Sequence, residues 1–413
     1  MTKRVLLHVG TPKTGTSYLQ DVLFRNKRAL AERGILYPAD RFDAHFLAAL
    51  DLMRLPWGGL ESEAVGAWDR LSQEVREWSG ETAIISHEIL AAASRSQVGR
   101  ALTSLGSSLG QDPRAPGSVE VHLVLSVRDL VRQIPAEWQE NVKHRSGMSY
   151  ARFLARLTDP ARNGRIASWF WSVQEVPDIL NRWGVDLPPE RIHLVTVPSP
   201  GGAPDLLWKR FSQAFGLEGI DLDLEGERLN PSLGVPETAL IRRINRAANR
   251  SLEPADYRPL VRELLAHQTL SHRVASPRLA LPPATVPWVQ EIEEAWVAEI
   301  ERRGYDVVGD LHDLRGNAAL HPYVDPDRPR ERDVAGAAVD AIKALLLDNA
   351  RIRAEEARLA AELAETRAAL DRSYLRPSYR VREKAVRGLA RSAVGRGLLG
   401  IYRFARGRSS RSA

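Results

Sequence analysis

Four short apolar runs punctuate the first half of the chain: Val5-Leu6-Leu7-His8-Val9, Thr82-Ala83-Ile84-Ile85-Ser86, Val119–Ser126 and Ile192–Val197. Each has the length and near-continuous apolarity of a strand covered on both faces. Between them, apolar residues recur at helical spacing. Thr16 to Arg33, with Leu19, Val22, Leu23 and Leu30 as its buried stripe, predicts a first helix that Gly34 stops. Further helices are predicted near Ala64–Trp78, Leu130–Lys143 and Ile166–Trp183, and Gly106 to Gly117, rich in Gly, Ser and Pro, reads as a loop. Covered strands alternating with helices predict an α/β fold, a doubly wound and mainly parallel sheet with flanking helices.

The pattern changes beyond residue 315. Residues 316–333, with His321-Pro322-Tyr323 and prolines at 326 and 329, read as a linker closing the α/β domain of residues 1–315. Residues 334–371 are rich in Ala, Glu, Arg and Leu and predict one long helix. Ile342, Asn349, Glu356, Leu363 and Leu370 repeat every seven residues, with Leu345, Ile352, Leu359 and Thr366 in the next row. The two rows make a coiled-coil seam interrupted by Asn349 and Glu356, which predicts a homodimer. A helix packed on its own domain is the alternative.

Charge sharpens this division. The net charge is +6, yet residues 372–413 carry eleven Arg, one Lys and one Glu, which leaves −5 on residues 1–371. The pI of 9.6 therefore belongs to the tail. Tyr374, Tyr379, Leu389, Leu398, Leu399, Ile401, Tyr402 and Phe404 lie among its arginines, a mixture suited to an anionic membrane surface. A solvated disordered tail is the second reading. Nucleic-acid binding rests on charge alone, with no recognition motif beside it. The apolar content of 44% is that of a globular protein with a sizeable core. The chain has no cysteine, which excludes disulfides and Cys-ligated metals. Met1 leads straight into the first apolar run, and no run approaches the roughly 20 residues of a membrane span. A cytoplasmic protein, peripheral to the membrane through its tail, is the expectation.

The first strand ends in Gly10-Thr11-Pro12-Lys13-Thr14-Gly15-Thr16-Ser17, and a helix follows at once. Two glycines let a loop fold tightly with its N–H groups turned toward an anion, and the helix N-terminus adds positive potential. The NTPase loop reads G-x-x-x-x-G-K-[ST]. Here Thr16 stands in the lysine's place and the cation has moved inside the loop, to Lys13. The spacing predicts binding of a phosphorylated nucleotide without ATP hydrolysis.

Thr11 to Ser17 closely resembles the 5′-phosphosulfate loop of sulfotransferases that use PAPS (3′-phosphoadenosine 5′-phosphosulfate), where Pro-Lys-x-Gly-Thr-[ST] follows the first strand. The resemblance implies that Lys13 is catalytic, contacting the 5′-phosphate and the bridging oxygen. Pro12, Thr14, Gly15, Thr16 and Ser17 would hold the phosphate, and no metal is required. It implies a 3′-phosphate site at Arg128, after the third strand. The family's serine eight residues on is Ala136 here, and Gln139 or Trp138 are the substitutes considered. Ser126 is a further hydroxyl candidate. An ion pair with Asp129 is the structural alternative for Arg128. His87 and Glu88, at the end of the second strand, resemble the general bases of two branches of the family. Only one of them is expected to face the acceptor, with the bacterial pattern favouring Glu88. Arg228-Leu229-Asn230-Pro231-Ser232-Leu233-Gly234 is a candidate late loop of the nucleotide site, and His45 a minor candidate for the acceptor pocket. The acceptor implied is a hydroxyl or amine of a glycan, glycolipid or small metabolite. A P-loop nucleotide kinase and a non-catalytic nucleotide-fold scaffold are the alternatives.

Overall fold

The computed structural model describes residues 3–107, 119–225, 232–317, 321–375 and 377–390, and positions 392, 394 and 397. The loop residues 108–117, the Arg228–Pro231 part of the candidate late loop, and Leu398, Leu399, Ile401, Tyr402 and Phe404 of the tail lie outside them.

Among the described residues six strands form one sheet: β1 (Lys3–His8), β2 (Ile35–Leu36), β3 (Thr82–Ser86), β4 (Val119–Val127), β5 (Ile192–Thr196) and β6 (Asp306–Val308). Their order is β2-β3-β1-β4-β5-β6, and every pairing is parallel. Alternation along the strands divides the core into two layers. Val5, Leu7, Ile85, Leu123 and Leu125 pack on one face. Leu6, Ile84, Val124 and Val195 pack on the other, against Leu19, Val22, Leu23, Phe211 and Phe215. Burial of each such side chain stabilises the fold by about 1.5–3 kcal/mol. After β1 the chain turns to one side of the sheet to make β2 and β3, then crosses to the other side for β4. A crevice therefore opens at the carboxyl ends of β1 and β4, the position where doubly wound sheets bind ligands.

The helices depart from the sequence expectation where a polar side chain has other work. The first helix ends at Arg25 and a second runs from Lys27 to Glu32. Between them, Asn26 gives its amide to Val22 O (2.8 Å) and Asp223 O (2.9 Å) and accepts from Asp223 N (2.9 Å). Ile166–Trp183 is likewise two helices, Arg165–Gln174 and Val176–Trp183, with Pro177 in the first turn of the second. Two short edge strands, β2 and β6, and the helix Ala44–Met53 join the predicted elements.

The helix Leu130–Lys143 leaves β4 over the crevice, and its start is fixed from a distance. Asp129 caps it through Arg132 N (2.9 Å). Glu293 accepts from Leu130 N (2.6 Å) and Val131 N (3.4 Å), and its other oxygen accepts from Gly316 N (3.0 Å). Burial, opposed by these donors and abetted by Asp129, raises the Glu293 carboxyl to about 7 from its ordinary 4.5. Folding thus takes up a proton between these values. The stabilisation from this group is complete below pH 4.5 and is lost as the pH rises through 7. Glu293→Ala strands buried N–H groups and is expected to cost about 2–4 kcal/mol in urea denaturation. A loss below about 0.5 kcal/mol would mean the cap carries no weight.

The chain divides into two compact units, residues 1–341 and 342–413. In the first, Tyr150 N and Ala151 N donate to Asp327 (3.0 and 2.8 Å), and Val334, Ala337 and Ala341 join the core. They belong to the first turns of one helix, Glu331–Leu375. In the second unit, Ile342, Leu345, Ile352, Leu359, Leu363 and Leu370 are exposed. No helix among the described residues is long and apolar enough to cross a membrane.

Candidate active site

The loop Val9–Gly15 lies between the ends of β1, β3 and β4 and is hydrogen-bonded to the strands. Gly10 (φ 109°) passes so close to the turn after β3 that a Cβ would stand 2.9 Å from Glu88 O and 3.0 Å from Glu88 Cα. Its carbonyl accepts from Ser126 N (2.5 Å) and Ser126 Oγ (2.9 Å), and Thr11 N donates to Ser126 O (2.6 Å). Thr14 Oγ1 lies 2.6 Å from Ser126 Oγ and donates to Thr11 O (2.6 Å). Beneath the loop, buried His8 bridges Ser86 Oγ (Nδ1, 2.7 Å) and Ser126 Oγ (Nε2, 3.0 Å). Desolvation lowers His8 to about 4, so the imidazole is neutral and serves as a strut. Ser126, a hydroxyl candidate from sequence, has its hydroxyl engaged within this frame, as does Thr14. Thr16 is buried and Ser17 exposed at the start of the Thr16–Arg25 helix.

Lys13 (φ 66°) projects from the loop and pairs with Glu140 Oε2 at 2.5 Å. Glu140 also meets His144 (3.1 Å) and Arg262 (3.6 Å). Burial alone would raise its carboxyl, but Lys13, His144 and Lys143 hold it well below the ordinary range. Arg128 lies on the other side of the loop, donating from Nη1 to Lys13 O (3.3 Å). Its Nε is buried without a partner. The expected alternative, a pair with Asp129, does not form, because Asp129 is taken by Arg132. Burial, together with Arg132, lowers Arg128 to about 10 from 12.5. Arg128 lines a cavity of about 490 Å³ with Arg132, Ala136, Gln139, Arg278 and His321. Ser232 and Leu233 of the candidate late loop line it too. The Gln139 amide is committed to that segment, donating to Leu233 O (2.8 Å) and accepting from Leu233 N (3.0 Å). It sets the cavity wall, and Trp138 is fully buried, donating to Met148 O (3.2 Å).

His87 and Glu88 stand beside the loop. His87 stacks on Phe46 at 5.1 Å and accepts from Ile89 N (3.3 Å), and burial lowers its pKa. Glu88 accepts from Gln20 (3.0 Å). Burial would raise Glu88, but His87, Gln20 and His8 hold it below the ordinary value. His45 is structural, bridging Pro38 O (2.9 Å) and Ser86 N (3.1 Å).

Sequence reasoning missed one face of the Leu130–Lys143 helix. Gln133, Glu137 and Glu140 follow at i, i+4 and i+7, and all three turn toward the loop. Gln133 donates to Pro12 O (2.7 Å). Gln133 Oε1, Glu137 Oε2 and Thr11 Oγ1 are buried without partners. Lys143, buried at the end of the same helix, is lowered to about 8 chiefly by desolvation. Among the described residues no group of three or more His, Cys, Asp or Glu is arranged to hold a metal ion.

No family model matches the chain, and no curated protein matches it. A solved structure titled as the crystal structure of a sulfotransferase from Alicyclobacillus acidocaldarius aligns with it at 16% identity and a TM-score of 0.37. The alignment covers 62% of this chain and all of that one.

Proposed function

We propose that the protein is a sulfotransferase that carries a sulfuryl group from PAPS to a hydroxyl or amine of a glycan, glycolipid or small metabolite. One observation carries this reading. Arg128, buried and with an unpartnered Nε, sits between the Lys13 loop and a cavity that holds two further arginines. A donor with two separated phosphates suits these two stations. Its 5′-phosphosulfate would meet the loop N–H groups, the Thr16–Arg25 helix start and Lys13. Its 3′-phosphate would meet Arg128, with Arg278 in place of the serine that Ala136 lacks. The transfer is an in-line displacement in which negative charge grows on the leaving phosphate oxygen. A fixed cation at Lys13 favours that charge over the ground state. The chemistry draws on position and charge, with no call for a metal.

A nucleotide kinase would want a lysine after Gly15, where Thr16 stands. A scaffold protein would bind the nucleotide and turn nothing over. Thermal unfolding separates the first case. PAP (3′-phosphoadenosine 5′-phosphate) at 100 times its dissociation constant is expected to stabilise the fold by about 2.7 kcal/mol, and magnesium-ATP at the same concentration far less. Equal stabilisation by ATP would defeat the sulfotransferase reading. Release of labelled sulfate or sulfated product from PAPS separates the second.

A further inference from the structure

Transfer to a hydroxyl leaves a proton to be removed, and the two groups at the end of β3 are poorly suited to take it. The His87 Nδ1 lone pair is committed to Ile89 N, and Glu88, despite burial, is held below the ordinary carboxylate range by His87, Gln20 and His8, which makes it a weak base. We propose that Glu137, on the helix that follows β4, is the group that accepts the proton from the acceptor. This rests on the sulfotransferase reading above and assigns a residue within the same site.

The placement follows from its neighbours. Gln133, one turn before Glu137, touches Pro12 at 2.7 Å, and Glu140, one turn after, touches Lys13 at 2.5 Å. Glu137 therefore faces the stretch of loop between two fixed contacts, beside the cation that marks the point of transfer. It is 7% exposed, and its Oε2 has no hydrogen-bond partner. A buried carboxylate oxygen without a donor is costly to keep, and a ligand hydroxyl would supply the missing one. Gln133 Oε1 and Thr11 Oγ1, also buried and unpartnered, offer further contacts to the same guest.

Its surroundings also adjust its basicity. Desolvation, followed by repulsion from Glu140 and Glu88 and opposed by Lys13, raises the Glu137 carboxyl to about 7. These groups face it from its own helix, from the turn after β3 and from the loop. A base with a pKa near the working pH combines availability with driving force. In the step, the acceptor oxygen bonds to sulfur as the bond from sulfur to the bridging phosphate oxygen breaks. The acceptor proton passes to Glu137, and PAP departs with the electron pair. Glu137 then returns the proton to solvent.

Wild type, Glu137→Gln, Glu137→Asp and Glu88→Gln are compared in release of label from [35S]PAPS, to unsubstituted phenol and to water. Water serves as an acceptor even if the phenol does not fit. Glu137→Gln is expected to lose 100- to 10,000-fold in kcat while PAP stabilises it as it does wild type. The rise of activity with pH, with an apparent midpoint near 7, is expected to vanish in Glu137→Gln, to persist in Glu88→Gln at whatever rate, and to return in part in Glu137→Asp. Infrared titration provides an acceptor-free check: the carboxyl band titrating near neutrality, to which Glu293 also contributes, is expected to shrink in Glu137→Gln. A Glu137→Gln protein with the wild-type rate and pH profile, or no change in that band, overturns the assignment and leaves the sulfotransferase reading standing. A wild-type protein that neither binds PAP nor releases label defeats both.

Discussion

Replacing Lys13 with alanine is expected to lower kcat by at least 100- to 1,000-fold, the usual cost of removing one group that stabilises developing charge. The fold is expected to survive. Lys13 lies in a loop, with its side chain 22% exposed, and contributes nothing to either core layer. Its partner is not abandoned either, since Glu140 keeps His144 and Arg262. The pair is part-buried, so its loss should cost more than the about 0–1 kcal/mol of an exposed pair, yet less than the about 3–5 kcal/mol of a buried charge left alone, because those two cations remain. The two effects are read from labelled-sulfate release and from thermal unfolding of the same preparation. Retained turnover would remove Lys13 from the chemistry. Lost turnover with a collapsed melting temperature would make it a structural residue.

Gly10→Ala is expected to do the opposite, damaging the fold and the site together. At φ 109° an L-residue is strained by about 1–3 kcal/mol. The new methyl would also stand 2.9 Å from the Glu88 carbonyl oxygen, a backbone atom that cannot swing aside. Overpacking of this kind costs about 1–3 kcal/mol more. Relief requires the loop to move off the turn after β3, which strains the bonds from Ser126 to the Gly10 carbonyl. Denaturation should show the sum of these costs, and PAP should no longer stabilise what remains. Gly15→Ala makes a useful comparison. There the methyl would meet the end of the Leu207 side chain, which can rotate away, so the loss should be smaller.

The sheet was legible because buried parallel strands write themselves as near-continuous apolar runs, and β1, β3, β4 and β5 do so. The edge strands β2 and β6, of two and three residues, are too short to leave a periodic signal. Pro177 was a readable mark of the break after Gln174, whereas the break at Asn26 depends on a contact with Asp223 that lies far away in sequence. The shape of the loop was legible, since its two glycines mark a tight turn between strand and helix, and both take a positive φ. The roles of its neighbours were not. Ser126 at a strand end has the chemistry of a ligand, and only the fold reveals that its hydroxyl is spent on His8, Thr14 and Gly10. Glu137 has the converse history. A glutamate within a helix looks solvated by default, and its burial depends on how that helix lies across the loop.

The wiring of the Val9–Gly15 loop also divides labour between the two walls of the crevice. Because His8, Ser126 and Thr14 hold the loop in place, its ordering entropy belongs to folding and is not charged again when a ligand arrives. A wall fixed in this way is shaped before any ligand arrives. The opposite wall, where Ser232-Leu233 and Arg278–Leu281 line the cavity, is held from the helix instead, through the two bonds between Gln139 and Leu233. One side of the crevice is thus set by the sheet and the other by the helix that crosses it.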